Sequence, residues 1–206
     1  MSHPFIINYC EGATELIQSL FGFALTEEEV GFLAGALDGA EVIVSVRKVG
    51  LYLEVKDAGR FESYETSVRR DGDGGLWAYI HEVRTAPGLR GKGLGIRAFM
   101  RQVQAAQALR LTRFELWAAG HPGDQTHNGW LTWPKFGFDA LLNRLDLAAL
   151  PRAYAGARTL NDIMRLKAHA WWAKQGAERA MIFYLHDDSS MMEQFRRYLN
   201  EKGLTL

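Results

Sequence analysis

The segment Ile80-His81-Glu82-Val83-Arg84-Thr85-Ala86-Pro87-Gly88-Leu89-Arg90-Gly91-Lys92-Gly93-Leu94-Gly95 constrains the fold more than any other part of the chain. Residues 76–85 read as a strand, and Pro87-Gly88 marks a turn. Gly91, Gly93 and Gly95 let the backbone bend tightly and approach a ligand closely, while Arg90 and Lys92 add positive charge. From Leu94 onward Ile96, Phe99, Met100, Val103, Ala106 and Leu109 recur at spacings of three and four, so a helix with one buried face begins there. Strand, basic glycine loop and helix start, in that order, aim several N–H groups and the positive end of a helix dipole at one point. That combination suits a pyrophosphate. Residues 112–118 read as the next strand. It should run parallel to 76–85, because a helix joins the two.

The rest of the chain is organised around this unit. Thr26-Glu27-Glu28-Glu29 is a capping-box pattern, and Val30, Leu33 and Leu37 follow at helical spacing. A helix is expected over 26–38, ended by Gly39, with an earlier one over 12–21. Residues 41–48, 51–57 and 61–70 alternate and are rich in Val, Tyr and Phe, as an antiparallel meander would be. Residues 71–75 form a glycine-aspartate turn cluster. Beyond Asp139 a helix is expected over 163–175 up to Gly176, then a strand over 180–186. A last helix is opened by a capping box at Ser190–Glu193 and closed by Gly203. The expected fold class is α/β (α+β): a mixed, mostly antiparallel central sheet flanked by helices, with a C-terminal helical extension. One domain over 1–206 is expected: 1–75 as N-terminal helices and antiparallel strands, 76–139 as the ligand-binding core, 140–206 as the extension.

Composition narrows the function. Lys plus Arg and Asp plus Glu are both 24, so no general electrostatic attraction to nucleic acid exists. Cys10 is the only cysteine, which excludes an intrachain disulfide and fits a reducing cytoplasm; Cys10 itself reads as a small buried residue. No apolar run reaches membrane-spanning length and no signal pattern opens the chain, so a cytoplasmic protein without a membrane partner is expected.

Three nucleotide-loop readings compete for residues 90–96. A Walker loop requires Ser or Thr after Gly-Lys, but Gly93 follows Gly91-Lys92. A dinucleotide fingerprint requires a third glycine where Ile96 stands, and its glycines should follow the strand directly. The third reading fits. Arg90-x-x-Gly93-x-Gly95 after a strand ending in a proline turn resembles motif A of the GNAT acyltransferase superfamily. Trp133-Pro134-Lys135-Phe136-Gly137-Phe138 resembles that family's Tyr-x-x-x-Gly-Phe segment, and together the two span about residues 76–139. The resemblance implies acetyl-CoA as co-substrate, no metal, and an amine acceptor. It implies that the 76–85 strand bulges near its end and splays from the next, that backbone groups of Val83 and Thr85 pair with the pantetheine, and that main-chain N–H groups of Arg90, Gly91, Lys92, Gly93, Leu94, Gly95 and Ile96 hold the pyrophosphate. Asn128 is a further implied CoA contact, and Trp133 packs on the pantetheine. A homodimer is left open.

Acetyl transfer to an amine needs a group to take the amine's proton, an oxyanion donor and an acid for the leaving thiolate. His81 is the first candidate base; regular alternation places it on the same strand face as Val83. Glu82 replaces it if a bulge reverses the alternation, and Tyr79 lies on the His81 face, where it can contact substrate. Trp133 stands where the family has a tyrosine acid, and indole N–H is no practical acid; Tyr154 or Tyr184 are substitutes. The loop His121–Asn128 carries two histidines and Asp124, a weak metal pattern and a better substrate or CoA contact. Trp77, Trp117, Trp130, Trp171 and Trp172 read mainly as packing residues, as does Met191-Met192. The expected function is acetyl-CoA-dependent transfer of an acetyl group to a primary amine by direct attack. The alternative is a non-catalytic acyl-CoA-binding sensor or interaction module.

Overall fold

In a computed structural model, which describes residues 5–206, the elements run β1 (Ile6–Tyr9), α1 (Ala13–Phe21), α2 (Glu27–Ala34), β2 (Glu41–Arg47), β3 (Gly50–Lys56), β4 (Phe61–Arg70), β5 (Leu76–Thr85), α3 (Leu94–Ala108), β6 (Arg113–Ala118), α4 (Gly129–Lys135), α5 (Arg144–Ala149), α6 (Leu160–Arg165), α7 (His169–Gln175), β7 (Arg179–Tyr184) and α8 (Ser190–Glu201). The seven strands form one mixed, mostly antiparallel sheet in the order β1 to β7. The chain divides into two compact units, one ending at Phe114 and one beginning at Glu115, so the division falls inside β6.

In the first unit β1 pairs parallel with β2, and β2 through β5 form the expected antiparallel meander. Thr112 N–H donates to the Leu76 carbonyl at 2.7 Å, which sets the entries of β5 and β6 side by side, as a parallel pair requires. Alternate residues of the sheet, among them Val42, Val44, Leu53, Val55, Val68, Ala78 and Ile80, are buried with Leu33, Phe99 and Val103 of α2 and α3. A fully buried Gln102 ties these layers together. Its amide nitrogen donates to Leu33 O and Thr66 Oγ1, and its carbonyl accepts from Tyr64 Oη at 2.8 Å. Every polar group of this buried cluster therefore has a partner. The other sheet face carries Arg47, Tyr52, Glu65, Ser67, Arg69, Trp77 and Tyr79, as the pairings Tyr52 with Ser67, Ser67 with Tyr79 and Arg69 with Trp77 require.

Three local expectations change here. Strand β1 adds an element that the sequence pattern does not announce. The helix expected over 26–38 keeps its capping box at Thr26 but stops at Ala34, because Gly35 adopts φ 80°. A Cβ on Gly35 would lie 2.6 Å from the Tyr64 ring, so this close approach also demands glycine. Cys10, expected buried, is exposed.

The second unit is built on aromatic packing. Trp172, Phe138, Phe183 and Phe195 are fully buried, and Phe183 lies edge-on to Phe195 at 5.7 Å. The expected 163–175 helix is two helices, α6 and α7, broken where Lys167 takes φ 57°. The last helix is capped by Ser189, whose hydroxyl accepts from Met192 N, one residue before the expected cap at Ser190. Met192 is buried and Met191 is half-buried, its sulfur accepting from Tyr184 N. Trp130 and Trp172 are buried as expected, but Trp117 is 53% exposed.

Gly137, the glycine of the Gly-Phe segment, has φ 97°, and a Cβ there would stand 2.3 Å from the Met191 carbonyl oxygen. Its role is thus to let α8 approach. Gly137→Ala is expected to destabilise the protein by about 2–4 kcal/mol, combining left-handed strain with a backbone clash. Chemical denaturation checks this; a loss under about 0.5 kcal/mol, the range of an ordinary surface exchange, would show that α8 yields freely. Among the described residues no helix is long and apolar enough to cross a membrane.

Candidate functional site

The exit of β5 carries most of the sequence-nominated residues. Pro87–Leu89 forms a single 3-10 turn after the strand, closed by Leu89 N–H to Ala86 O at 2.9 Å. Gly91 and Gly93 follow with φ 77° and 80°, the left-handed region where glycine is favoured. Gly93 is the N-cap of α3, and as a glycine it offers no side chain to the helix start. The first main-chain bond of α3 is Arg97 N–H to Gly93 O, so the N–H groups of Leu94, Gly95 and Ile96 have no acceptor within the helix. A Cβ added to Gly91 or Gly95 would meet nothing within 4 Å, and one on Gly93 would meet only the Ile96 side chain at 3.8 Å. Packing therefore does not explain these three glycines.

Not every nominated loop amide points outward. Arg90 N–H closes on Pro87 O at 3.4 Å and Lys92 N–H on Leu89 O at 3.3 Å, so both are engaged in turns. The donors left at the helix start belong to Leu94, Gly95 and Ile96. Arg90 also donates from Nε to Thr85 O at 3.4 Å, tying the loop to the strand end and occupying one of the backbone groups expected for pantetheine.

The strand itself contains the bulge that the resemblance implies, and the register locates it. Glu65 pairs with Glu82 and Thr66 with Ile80, leaving His81 as the extra residue of β5. The bulge reverses the alternation beyond it. His81 stays on the face of Ser67 and Tyr79, whereas Val83 pairs with the fully buried Tyr64 on the helix-covered face. The expectation that His81 and Val83 share a face is therefore overturned. Glu82, facing Glu65, joins His81 rather than replacing it, and its carboxylate is held by Arg84 at 2.5 Å.

Around His81 the face is ordered. Its Nε2 lies 2.9 Å from Ser67 Oγ, and its ring stacks at 5.1 Å on Tyr52 and 4.9 Å on Tyr79. Tyr52 Oη donates to the Glu65 carboxylate; burial first and that bond second push the phenol pKa up to about 12. Burial, and next the Arg69 guanidinium, hold the imidazole below its ordinary value; Glu65 opposes them and Arg47 adds to them. At neutral pH His81 is thus uncharged, as a proton acceptor must be.

The nominated residues of the second unit are placed differently. Asn128 is exposed and caps α4 through its carbonyl, which accepts from Leu131 and Thr132 N–H. Trp133 is half-buried, edge-on to Phe136 at 5.7 Å and Phe138 at 5.0 Å. Within the His121–Asn128 loop, Asp124 accepts from Thr126 N, Thr126 Oγ1 and His127 N, bonds that hold its pKa far below the usual carboxylate range. That is an Asx-type turn. Among the described residues no group of three or more His, Cys, Asp or Glu is placed to hold a metal ion. Tyr154 sits in a 3-10 turn, and Tyr184 ends β7 against His186. Sequence reasoning missed Ser67, Glu65, Tyr52 and Arg69; only strand pairing brings them to His81.

No family model matches the sequence, and no curated protein matches it. Among solved structures the chain is similar to Arabidopsis thaliana Naa50 in complex with the bisubstrate analogue CoA-Ac-MVNAL, at 11% identity and a TM-score of 0.34, over 63% of this chain and 76% of that one. It is also similar to N-acetylglutamate synthase from Neisseria gonorrhoeae complexed with coenzyme A and N-acetyl-glutamate, at 12% identity and a TM-score of 0.33, over 66% of this chain; there it spans only 26% of the other chain. Likenesses this remote assign no residue a role. The chemistry is read from the loop and the β5 face.

Proposed function

We propose that the protein is a GNAT-type, acetyl-CoA-dependent N-acyltransferase acting on an amine. The observation that carries this reading is the start of α3. There three donors without helical acceptors lie under glycines that packing does not require, immediately beyond a strand bulged at an uncharged, accessible histidine. The CoA diphosphate binds to Leu94, Gly95 and Ile96 N–H, with Lys92 and Arg90 supplying positive charge.

In the reaction the amine nitrogen attacks the thioester carbonyl carbon. A C–N bond forms, the C–S bond breaks, and the sulfur leaves as CoA thiolate. The nitrogen's proton passes to His81, directly or through one water, and backbone N–H near Val83 faces the developing oxyanion. The thiolate takes a proton from water, since Trp133 offers no acidic group.

Two measurements test this. Acetyl-CoA at about 100 times its Kd is expected to stabilise the fold by about 2.7 kcal/mol. An amine panel is expected to release free thiol from acetyl-CoA. Stabilisation without thiol release on any amine would leave the alternative, an acyl-CoA-binding module. Absence of both would end the CoA reading.

A further inference from the structure

Across the sheet face opposite α2 and α3 in the first unit, cations and rings alternate without a break. Arg113 lies over Trp77 at 4.8 Å, Arg69 over Trp77 at 5.1 Å and over Tyr79 at 5.0 Å, and Arg47 over Tyr52 at 3.4 Å; His81 stacks between Tyr79 and Tyr52. The acids nearby are engaged. Glu65 accepts from Tyr52 and Ser63, Glu82 pairs with Arg84, Glu54 with Lys56, and Asp71 takes Arg113 in a two-pronged bond.

Two cations of the row, Arg69 and Arg47, are held against rings rather than by a carboxylate, and Arg69 is the one that shares a hydroxyl with His81. It is half-buried between two rings, and its Nε donates to Ser67 Oγ at 3.2 Å, the same hydroxyl that meets His81. Among the described residues it forms no ion pair with a carboxylate, and its Nη groups are not buried away from solvent. A guanidinium presents a flat fork of donors suited to a planar carboxylate, and here the flanking rings and Ser67 fix its plane. Folding gains little from holding such a fork toward solvent.

Resting on the acyltransferase reading, we infer that the acceptor is an amine bearing a carboxylate, of amino-acid type, whose carboxylate is gripped by Arg69 while its nitrogen faces His81. The two protein groups stand one shared hydroxyl apart. That separation suits a nitrogen and a carboxylate carried on the same or neighbouring carbons. Arg47, exposed at the far side of Tyr52, adds positive potential for the approaching anion.

The test compares amino acids with their decarboxylated amines, for example phenylalanine with phenethylamine and β-alanine with ethylamine, using the full chain and acetyl-CoA. The carboxylated member of a pair is expected to have a kcat/KM higher by about 10- to 100-fold, the worth of one charge-assisted grip. Arg69→Gln is expected to narrow that gap to within about threefold by raising KM for the amino acid, and Arg69→Lys to restore part of it. Equal use of both members, or a loss in Arg69→Gln that falls equally on both, overturns the assignment. A raised KM for acetyl-CoA alone in Arg69→Gln places the residue on the cofactor's phosphates and also overturns it. Should no amine be acetylated, the enzyme reading fails separately, and the subsite is read by NMR. Titration with N-acetyl-β-alanine is expected to shift the His81 ring signals in the unmodified chain and not in Arg69→Gln; unmoved signals in both refute the grip.

Discussion

His81→Gln is expected to lower kcat for amine acetylation by about 100- to 1,000-fold while leaving the affinity for acetyl-CoA within about twofold. Glutamine can still bond Ser67 and fill the space between Tyr52 and Tyr79, so the fold should survive. It cannot accept the amine proton. The pH profile supplies the second arm. Burial and Arg69 hold the imidazole below its ordinary value, so the working neutral form persists as pH falls past 6.5 and is lost only as pH falls through the lower, folded-state value. Beyond the limb set by protonation of the free amine, a second downturn in kcat/KM should therefore begin below 6.5 and disappear in His81→Gln. A variant retaining more than about a third of kcat, with that second downturn unmoved, would remove His81 from the chemistry and turn attention to Glu82.

The second large effect concerns Gly95, where stability and binding should move in opposite directions. Gly95 lies in the first turn of α3 without positive φ, and an added Cβ touches nothing. Gly95→Ala should thus stabilise the helix by up to about 0.5–1 kcal/mol. For a chain of this size that is about 1–4 °C in Tm. The same methyl would stand over the N–H groups that receive the diphosphate. Acetyl-CoA is expected to bind about 10- to 100-fold more weakly by calorimetry, the loss of one or two charge-assisted bonds. A raised Tm with unchanged affinity would show that the phosphates lie elsewhere.

Much of this was legible in the sequence because it rests on local rules. Strand β5 begins and ends where alternation and turn residues place it, at Leu76 and Thr85. The helix after the glycine loop starts at Leu94 because Gly93, a left-handed cap, permits it. The capping box at Thr26 forms both of its bonds. What escaped is set by partners distant in sequence. β1 has four residues and exists through its pairing with β2. The break between α6 and α7 occurs at Lys167, a residue type that seldom turns left-handed. The bulge at His81 has no signature within β5, since Trp77, Tyr79 and His81 keep perfect alternation; the additional residue shows only when β4 is laid alongside. The surroundings of the candidate site, Ser67 and Arg69 above all, were hidden for the same reason.

That extra residue gives insertions and deletions a meaning that substitutions lack. Removing position 81 outright would close the ladder into regular register, with Ile80 still opposite Thr66 and Glu82 still opposite Glu65. Val83 would keep its berth beside Tyr64, and Arg84 its place opposite Ser63. One excised amino acid would therefore remove the imidazole and straighten the strand while sparing the packing, so a chain shortened there should fold and not catalyse.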